Sequence, residues 1–314
     1  LLHRVRFAAD GSPLSPRGGR IAALLEGRDT IAPELRANLD SIAGALIGEL
    51  NRLHTGGEGL ARYTEVRALH AVGDRTAPLS GAGYPFPIEG GSFSLQVMNE
   101  GNDTRETYVL PIDLDGVGGD DTSLDDLVTW INSVVGAAHP EIQARVTIDG
   151  YLEIESTSSS LTFTFRDDDS GFLAAAGIHT LFEGASARDI EVNRNLIADP
   201  ALLSTGRGGG AGDNSVVIDM LGLRDAALLP GGTTFEGYYT SVVGRIGVRG
   251  AEARDLLQNQ EAITNHLENQ RQALSGVNID EEAISLIRYQ RAYQGAARFL
   301  TVVDRLLETL INSV

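Results

Sequence analysis

The residues that could act in catalysis or bind a metal are scattered along this 314-residue chain. The histidines are His3, His54, His70, His139, His179 and His266. They show no i, i+4 pair and no HExxH pattern, so the fold alone would have to assemble a metal site. The chain has no cysteine, which excludes disulfides, thiolate zinc sites and a cysteine nucleophile. It also has no GxSxG elbow, and we expect no serine to lie beside a plausible base.

Two acidic loops and one glycine-rich loop resemble ligand-binding loops only superficially. The loops Asp113–Gly116 and Asp167–Gly171 place Leu124 and Ile178 at the twelfth position, where a calcium loop needs a bidentate Glu. We interpret both as solvated turns, with adventitious calcium binding as the alternative. The run 206–212 (GRGGGAG) lacks the Lys-Ser/Thr pair of a P-loop and is interpreted as a flexible connector. The sequence therefore predicts no catalytic residue, no cofactor and no metal.

The charge balance limits the classes of partner. The formal net charge is −18, with 43 acidic and 25 basic residues. Such a surface repels phosphate backbones and anionic membranes, so we expect neither nucleic-acid nor membrane binding. No apolar run approaches the roughly 18 residues that a membrane helix needs. The chain begins at Leu1 without the charged-then-apolar order of a signal peptide, and we interpret it as a fragment without its amino-terminal part.

The last eighty residues carry two heptad ladders of apolar residues, alternating steps of three and four. The first ladder runs from Tyr239 to Leu274 and includes the polar residues Arg249, Gln260 and Gln270. The second comprises Leu286, Tyr289, Tyr293, Ala296, Leu300, Val303, Leu307, Leu310 and Val314. A 3.5-residue period sustained over this length favours a helical partner along the whole helix. We therefore predict that the second ladder is an assembly interface.

A short break separates the two ladders. Gly276 would end the first helix, and Asn278 with Glu281 would form a capping box for the second. The break is short enough for an antiparallel hairpin that buries both ladders and binds nothing. It equally permits two helices in series, and we favour assembly over the closed hairpin.

Upstream of the ladders, the hydrophobic periodicity changes from helical to alternating and back. Residues 21–53 show a helical period, in two helices separated at Ala32-Pro33. Residues 86–182 read as strand, strand, helix, strand, strand, strand, with Asp149-Gly150 as a hairpin turn and Thr122 or Ser123 as the helix N-cap.

The predicted class is α+β: an elongated helical domain with long, coiled-coil-like carboxyl-terminal helices and an inserted β-rich domain. The predicted divisions are 1–60 (helical domain, first part), 61–85 (linker), 86–182 (β-rich insertion with one helix), 183–232 (return segment to the helical domain) and 233–314 (long carboxyl-terminal helices).

Three stretches resemble known proteins. The run SGVNIDEEAISLIRYQRAYQGAARFLTVVDRLLETLINSV, 275–314, resembles the carboxyl terminus of bacterial flagellar axial proteins, and most closely the hook-associated family that joins hook to filament. Residues 18–54 resemble the middle helical segment of the same family. Residues 122–156, with TSLDDLVTWIN and IQARVTIDGYLEIES, are similar to the flagellin IN motif. The family's amino-terminal helical motifs are not present in this chain.

The resemblance implies a structural subunit rather than an enzyme, located outside the cell after export through the flagellar type III channel. The implied partners are identical subunits, the hook protein, the neighbouring hook-associated junction protein and a flagellar export chaperone. The alternatives are a flagellin or hook-type axial subunit, or a binding module or enzyme carried on the 86–182 insertion. An enzyme predicts a deep polar pocket with paired titratable groups in that insertion.

Overall fold

The computed structural model describes residues 10–12, 16, 18–208, 210, 212–275 and 279–313. The predicted site residues Gly276, Asn278 and Val314 lie outside the described residues. The chain divides into two compact units, 1–243 and 244–314, which we describe separately. Small antiparallel sheets and long carboxyl-terminal helices confirm the α+β class.

The first helices are joined where the sequence predicted a break. Helix α1 (Gly19–Glu26) continues through a π-helical turn, Gly27–Ile31, into α2 (Ala32–Thr55). The expected stop at Ala32-Pro33 is therefore wrong. Proline lacks an N–H and clashes with the carbonyl four residues earlier in an α-helix. The carbonyl four residues before Pro33 belongs to the wider π turn, which removes the clash. The chain therefore stays helical, with Pro33 in the first turn of α2.

The strands are β1 (Glu65–Arg67), β2 (Gly91–Asn99), β3 (Thr104–Ile112), β4 (Ile142–Val146), β5 (Leu152–Ser156), β6 (Leu161–Arg166), β7 (Phe182–Glu183) and β8 (Glu191–Val192). One sheet has the order β3-β2-β6, a second β1-β5-β4, and β7 pairs with β8, all antiparallel. Between 91 and 166 the elements follow the predicted order, with one helix after the second strand.

The stretch 61–85, expected to be a linker, contributes to the folded body. Strand β1 pairs with β5, and Val66, Ala68 and Val72 are buried in the same apolar cluster as the sheets. Leu79 and Ala82 join that cluster. Its loop-like appearance has a physical cause: a three-residue edge strand carries too little alternation to be recognised in a sequence.

Aromatic side chains form the centre of the core. Phe93, Phe163, Phe165 and Phe172 are fully buried, and Phe93 stacks on Phe172 with ring centroids 5.5 Å apart. In strand β2 the polar positions Ser94 and Gln96 are buried as well as the apolar ones. Successive side chains of a strand point to opposite faces, so the unbroken burial of residues 93–98 shows that β2 is enclosed on both faces.

The remaining helices are α3 (Leu124–Trp130), α4 (Gly136–Ala138), α5 (Phe172–Ala176), α6 (Arg194–Ala198), α7 (Ser215–Gly222), α8 (Phe235–Ser275) and α9 (Ile279–Asn312). A π-helical turn, Ile131–Val135, links α3 to α4. Ser123 is the N-cap of α3: its hydroxyl accepts from the Asp126 N–H at 3.3 Å, while Asp126 accepts from the Ser123 N–H at 2.9 Å. This reciprocal pair is a capping box, and Ser123 is one of the two residues predicted as the N-cap.

Candidate functional site

The predicted interface residues lie on one helix and are open to solvent. Of the named set, Leu286, Tyr289, Tyr293, Ala296, Leu300, Leu307 and Leu310 are exposed and Val303 is half-buried. The exposed fraction of the large side chains runs from 52% at Leu307 to 77% at Tyr293. No residue of α9 is buried. Within the unit 244–314, the chain thus presents an apolar stripe along α9 that none of the described residues of that unit covers.

The apolar face of α9 is wider than the heptad ladder predicted. Phe299, Val302, Leu306 and Ile311 are also at least half exposed. Together with Leu300, Val303, Leu307 and Leu310 they form adjacent pairs that recur at helical spacing, so the apolar face is wider than a single seam. The heptad template missed them because it selects one seam and ignores the neighbouring one.

The closed hairpin does not form among the described residues. It would bury both ladders, but residues 251–274 of α8 and 279–313 of α9 are exposed almost throughout. One residue of the first ladder, Val242, is buried, and it belongs to the compact unit 1–243. Of the three residues predicted at the break, Glu281 is described; with Asp280 and Glu282 it makes the first turn of α9 acidic, which complements the helix dipole.

The fold brings together histidines that sequence spacing kept apart. His54, at the end of α2, and His179 lie with ring centroids 4.8 Å apart. His54 Nδ1 lies 2.8 Å from the His179 carbonyl oxygen, and His54 Nε2 accepts from the Ser204 backbone N–H at 3.0 Å. His179 Nδ1 contacts the Tyr63 hydroxyl at 2.7 Å, and its Nε2 contacts the Ser204 hydroxyl at 2.7 Å. Every ring nitrogen is engaged, which leaves none to bind a metal.

These contacts fix the protonation state of His54. Because Nε2 accepts from a backbone N–H, the proton must lie on Nδ1, where it is donated to the carbonyl of His179. Burial lowers the pKa of His54 to about 4, opposed by that hydrogen bond. Burial, followed by proximity to His54, holds the pKa of His179 well below its ordinary value. Both rings are therefore neutral at physiological pH.

Ser204 and His179 form a hydroxyl–imidazole pair, which corrects the expectation that no serine lies beside a base. Ser204 and His179 are 25 positions apart in the sequence, so no local sequence motif indicates that they pair. The pair is enclosed: Ser204 is 1% exposed and His179 is 3% exposed. A nucleophile must reach its substrate, and this hydroxyl is sealed within the core, so the pair fits a structural role.

The two acidic loops differ from each other. Ligand oxygens of Asp113, Asp115 and Asp121 lie within 4.8 Å of one another on the surface. The other loop was expected to be solvated, but Asp168 is buried and accepts from the Gly171 and Leu173 N–H groups, both at 3.0 Å. It caps the start of α5, so it is a structural carboxylate and the expectation was wrong there.

One open groove of about 640 Å³ is lined mainly by residues outside the 86–182 insertion. Among its charged groups, Arg67 lies 3.5 Å from Glu153 and Arg194 lies 3.8 Å from Glu183. The Arg67 guanidinium also lies 4.3 Å from the centre of the Tyr151 ring. The two arginines are at least half exposed and each is paired with a partly buried glutamate, which does not match the deep pocket that an enzyme predicts.

Comparisons with known proteins connect the carboxyl-terminal helix and the chain to the flagellum. Residues 268–313 match the family model described as flagellar basal body rod FlgEFG protein C-terminal. The chain is 33% identical over 108 residues to flagellar hook-associated protein 1 of Bacillus subtilis, covering 34% of this chain and 21% of the relative. It is 31% identical over 174 residues to the Escherichia coli protein of that name, covering 51% of this chain and 32% of the relative.

The protein of the same name from Salmonella typhimurium is 26% identical over 188 residues, covering 54% of this chain. These homologues (FlgK) confirm the resemblance to flagellar hook-associated proteins. The chain spans between 21% and 34% of the length of these relatives. No helix among the described residues combines the length and hydropathy needed to cross a bilayer.

Proposed function

We propose that this chain is part of a structural subunit that joins the hook to the filament of the bacterial flagellum, and that it assembles through α9. The observation that carries the proposal is the uncovered apolar face from Leu286 to Leu310. It lies in the region that matches the rod-family model, on a chain whose homologues are flagellar hook-associated proteins. Burying such a face contributes about 25 cal/mol for each Å² of apolar surface removed from water.

The partners follow from this role. We propose identical subunits around a ring, the hook protein on one side, the neighbouring hook-associated junction protein on the other, and an export chaperone before assembly. The proposed location is extracellular. The β-rich 86–182 region, with its IN-motif resemblance, projects as an adaptor surface. These assignments, and the division of the chain given above, rest on the resemblance together with the exposed helix.

Export complementation tests the proposal. A cell that lacks its junction protein would receive the full-length version with Leu300, Val303, Leu307 and Leu310 changed to Asp. We expect hooks to form and filaments to fail to attach, because four carboxylates on the apolar face oppose its burial. Normal filaments would refute the assembly role of this face.

The opposite face of α9 provides a matched control. Gln294, Arg298, Thr301 and Arg305 lie about half a helical turn away from the apolar face, since each residue advances about 100°. Changing these four to Asp introduces the same number of carboxylates into the same helix. We expect this control variant to be exported, as the apolar-face variant is, and to support attached filaments.

A second candidate is a hook-type or flagellin-type axial subunit. The match of residues 268–313 to a rod-family model favours it specifically, because rod and hook proteins would share the terminal helix. A self-polymerisation assay separates the two. A filament or hook subunit forms long polymers on its own, whereas a junction subunit does not.

A further inference from the structure

The buried histidine cluster joins chain segments that are far apart in sequence. Ser204 is held on both sides, since its backbone N–H donates to His54 and its hydroxyl contacts His179. The residues around it bond to the stretch after α2: Leu60 N–H donates to the Ala201 carbonyl at 2.7 Å, and Glu58 N–H to the Gly206 carbonyl at 2.8 Å. The His54 and His179 side chains thus hold the middle of segment 199–206 through their hydrogen bonds to Ser204.

The anchor on His54 depends on which atoms carry protons. In the neutral ring, Nε2 is an acceptor facing the N–H of Ser204. Protonation places a hydrogen on Nε2, so two donors would face each other and the bond would be lost. His54 Nδ1 already donates to the His179 carbonyl, and the ring has no described carboxylate as a hydrogen-bonding or ion-pair partner. A buried imidazolium without a counter-charge is strongly unfavourable, and opening the segment to water relieves that cost.

The charged and titratable groups around the cluster do not supply the missing counter-charge. Asp168 is linked to the neighbouring Thr55 hydroxyl at 3.4 Å, but its oxygens are occupied by Ser170 and by backbone N–H groups. Tyr63 contacts His179, and burial followed by the nearby charge of Asp199 raises the Tyr63 pKa, so its phenol stays neutral. His179 would itself become a positive neighbour if it took up a proton.

The backbone at His179 shows that this arrangement is held under constraint. His179 has φ +53°, a left-handed conformation that is uncommon for a residue with a side chain. Both of its ring nitrogens and its carbonyl oxygen are hydrogen-bonded within the cluster. These contacts hold His179 in its strained conformation. When they are lost, the backbone at His179 is free to relax.

We propose that His54, His179 and Ser204 form an acid-released latch. At neutral pH the latch holds segment 199–206 against the end of α2. Protonation of His54 releases the Ser204 N–H and opens that segment locally, while the β-sheet core stays folded. The segment leads toward α7, so the latch couples proton concentration to the freedom of the chain before that helix.

Amide hydrogen exchange, followed by NMR on the folded chain between pH 7 and pH 4.5, tests the latch. The Ser204 amide is compared with the Leu95 amide in the centre of β2, after correction for the intrinsic pH dependence of exchange. We expect Ser204 protection to fall by up to about tenfold per pH unit below pH 6.5, as linkage to one proton requires. Its exchange should be faster than that of Leu95 and insensitive to low urea, the signature of local opening.

Two variants isolate the responsible side chain. His54→Gln retains an acceptor for the Ser204 N–H but does not titrate, so Ser204 protection should become independent of pH. His266→Gln, on the exposed surface of α8, makes the same change and should leave the wild-type behaviour intact. If His54→Gln fails to fold, the comparison of Ser204 with Leu95 protection in the wild-type protein still tests the proposal. Equal protection of Ser204 and Leu95 at every pH, or Ser204 protection that is independent of pH, would overturn the proposal.

Discussion

The side-chain amide of Asn132 pairs with the backbone of Ala144 through two hydrogen bonds. Asn132 Nδ2 donates to the Ala144 carbonyl and Asn132 Oδ1 accepts from the Ala144 N–H, each at 2.9 Å. Strand β4 is an edge strand, and the N–H and C=O of Ala144 face its open side. Asn132 therefore stands where a further strand would pair and closes this part of the edge.

Changing Asn132 to Asp should destabilise the β-rich body. A carboxylate cannot donate to the Ala144 carbonyl, so two oxygens would face each other in a partly buried site. We expect the free energy of unfolding to fall by about 1–3 kcal/mol, measured by urea denaturation. Gln143→Glu, the same amide-to-carboxylate change on the exposed side of β4, is the control and should cost less than about 0.5 kcal/mol. Equal losses in the two variants would contradict this role of Asn132.

The hairpin between β4 and β5 depends on the absence of a side chain at Gly150. This residue has φ +84°, and a Cβ placed there would lie 2.2 Å from the Val72 carbonyl oxygen. Gly116 also has a positive φ, +70°, but no atom lies within 4 Å of a Cβ built on it. We expect Gly116→Ala to cost about 1–2 kcal/mol from backbone strain alone. Gly150→Ala should cost about 1–3 kcal/mol more because the neighbouring backbone must move. Thermal unfolding of both variants provides the comparison, and similar melting temperatures would show that the close approach is unimportant.

The buried histidines predict how stability varies with pH. The pKa of His54 is about 4 in the folded chain and has its ordinary value near 6.5 when unfolded, so between these values the unfolded state binds more protons. The free energy of unfolding should therefore rise with pH from 4 to 6.5, by at most about 1.4 kcal/mol per pH unit from this group. Above pH 6.5 this contribution is constant.

The difference between wild type and His54→Gln isolates that contribution, because the carboxylates are common to both proteins. Urea denaturation at pH 4.5, 5.5 and 6.5 should give a shallower pH dependence for the variant. Parallel curves for the two proteins would mean that His54 titrates with its ordinary pKa in the folded state.

Sequence reasoning predicted the parts of the fold that depend on local pattern. The strand and helix order between 91 and 166, the Ser123–Asp126 capping box and the long carboxyl-terminal helices all follow from periodicity and turn chemistry within a few residues. Each of these signals lies inside one element, so no knowledge of tertiary contacts was needed.

The features that escaped prediction depend on contacts between distant segments. His54 and Ser204 are 150 positions apart, and nothing in their spacing indicates that they bond. The burial of Asp168 and the contribution of β1 to the core likewise arise from what packs against them, not from their own sequence neighbours. At the candidate interface, the heptad ladder identified the exposed helix but underestimated the width of its apolar face.

The central claim is that assembly buries the apolar face of α9, and thiol accessibility tests it most directly. These 314 residues contain no cysteine, so Leu307→Cys on the apolar face and Arg305→Cys on the opposite face each introduce one thiol into this part of the protein. Both should react with a maleimide in the unassembled protein, where both positions are exposed. In assembled flagella we expect the cysteine at position 307 to be protected at least about tenfold, equivalent to about 1.4 kcal/mol, while the one at 305 stays reactive. Equal reactivity at position 307 before and after assembly would contradict the account.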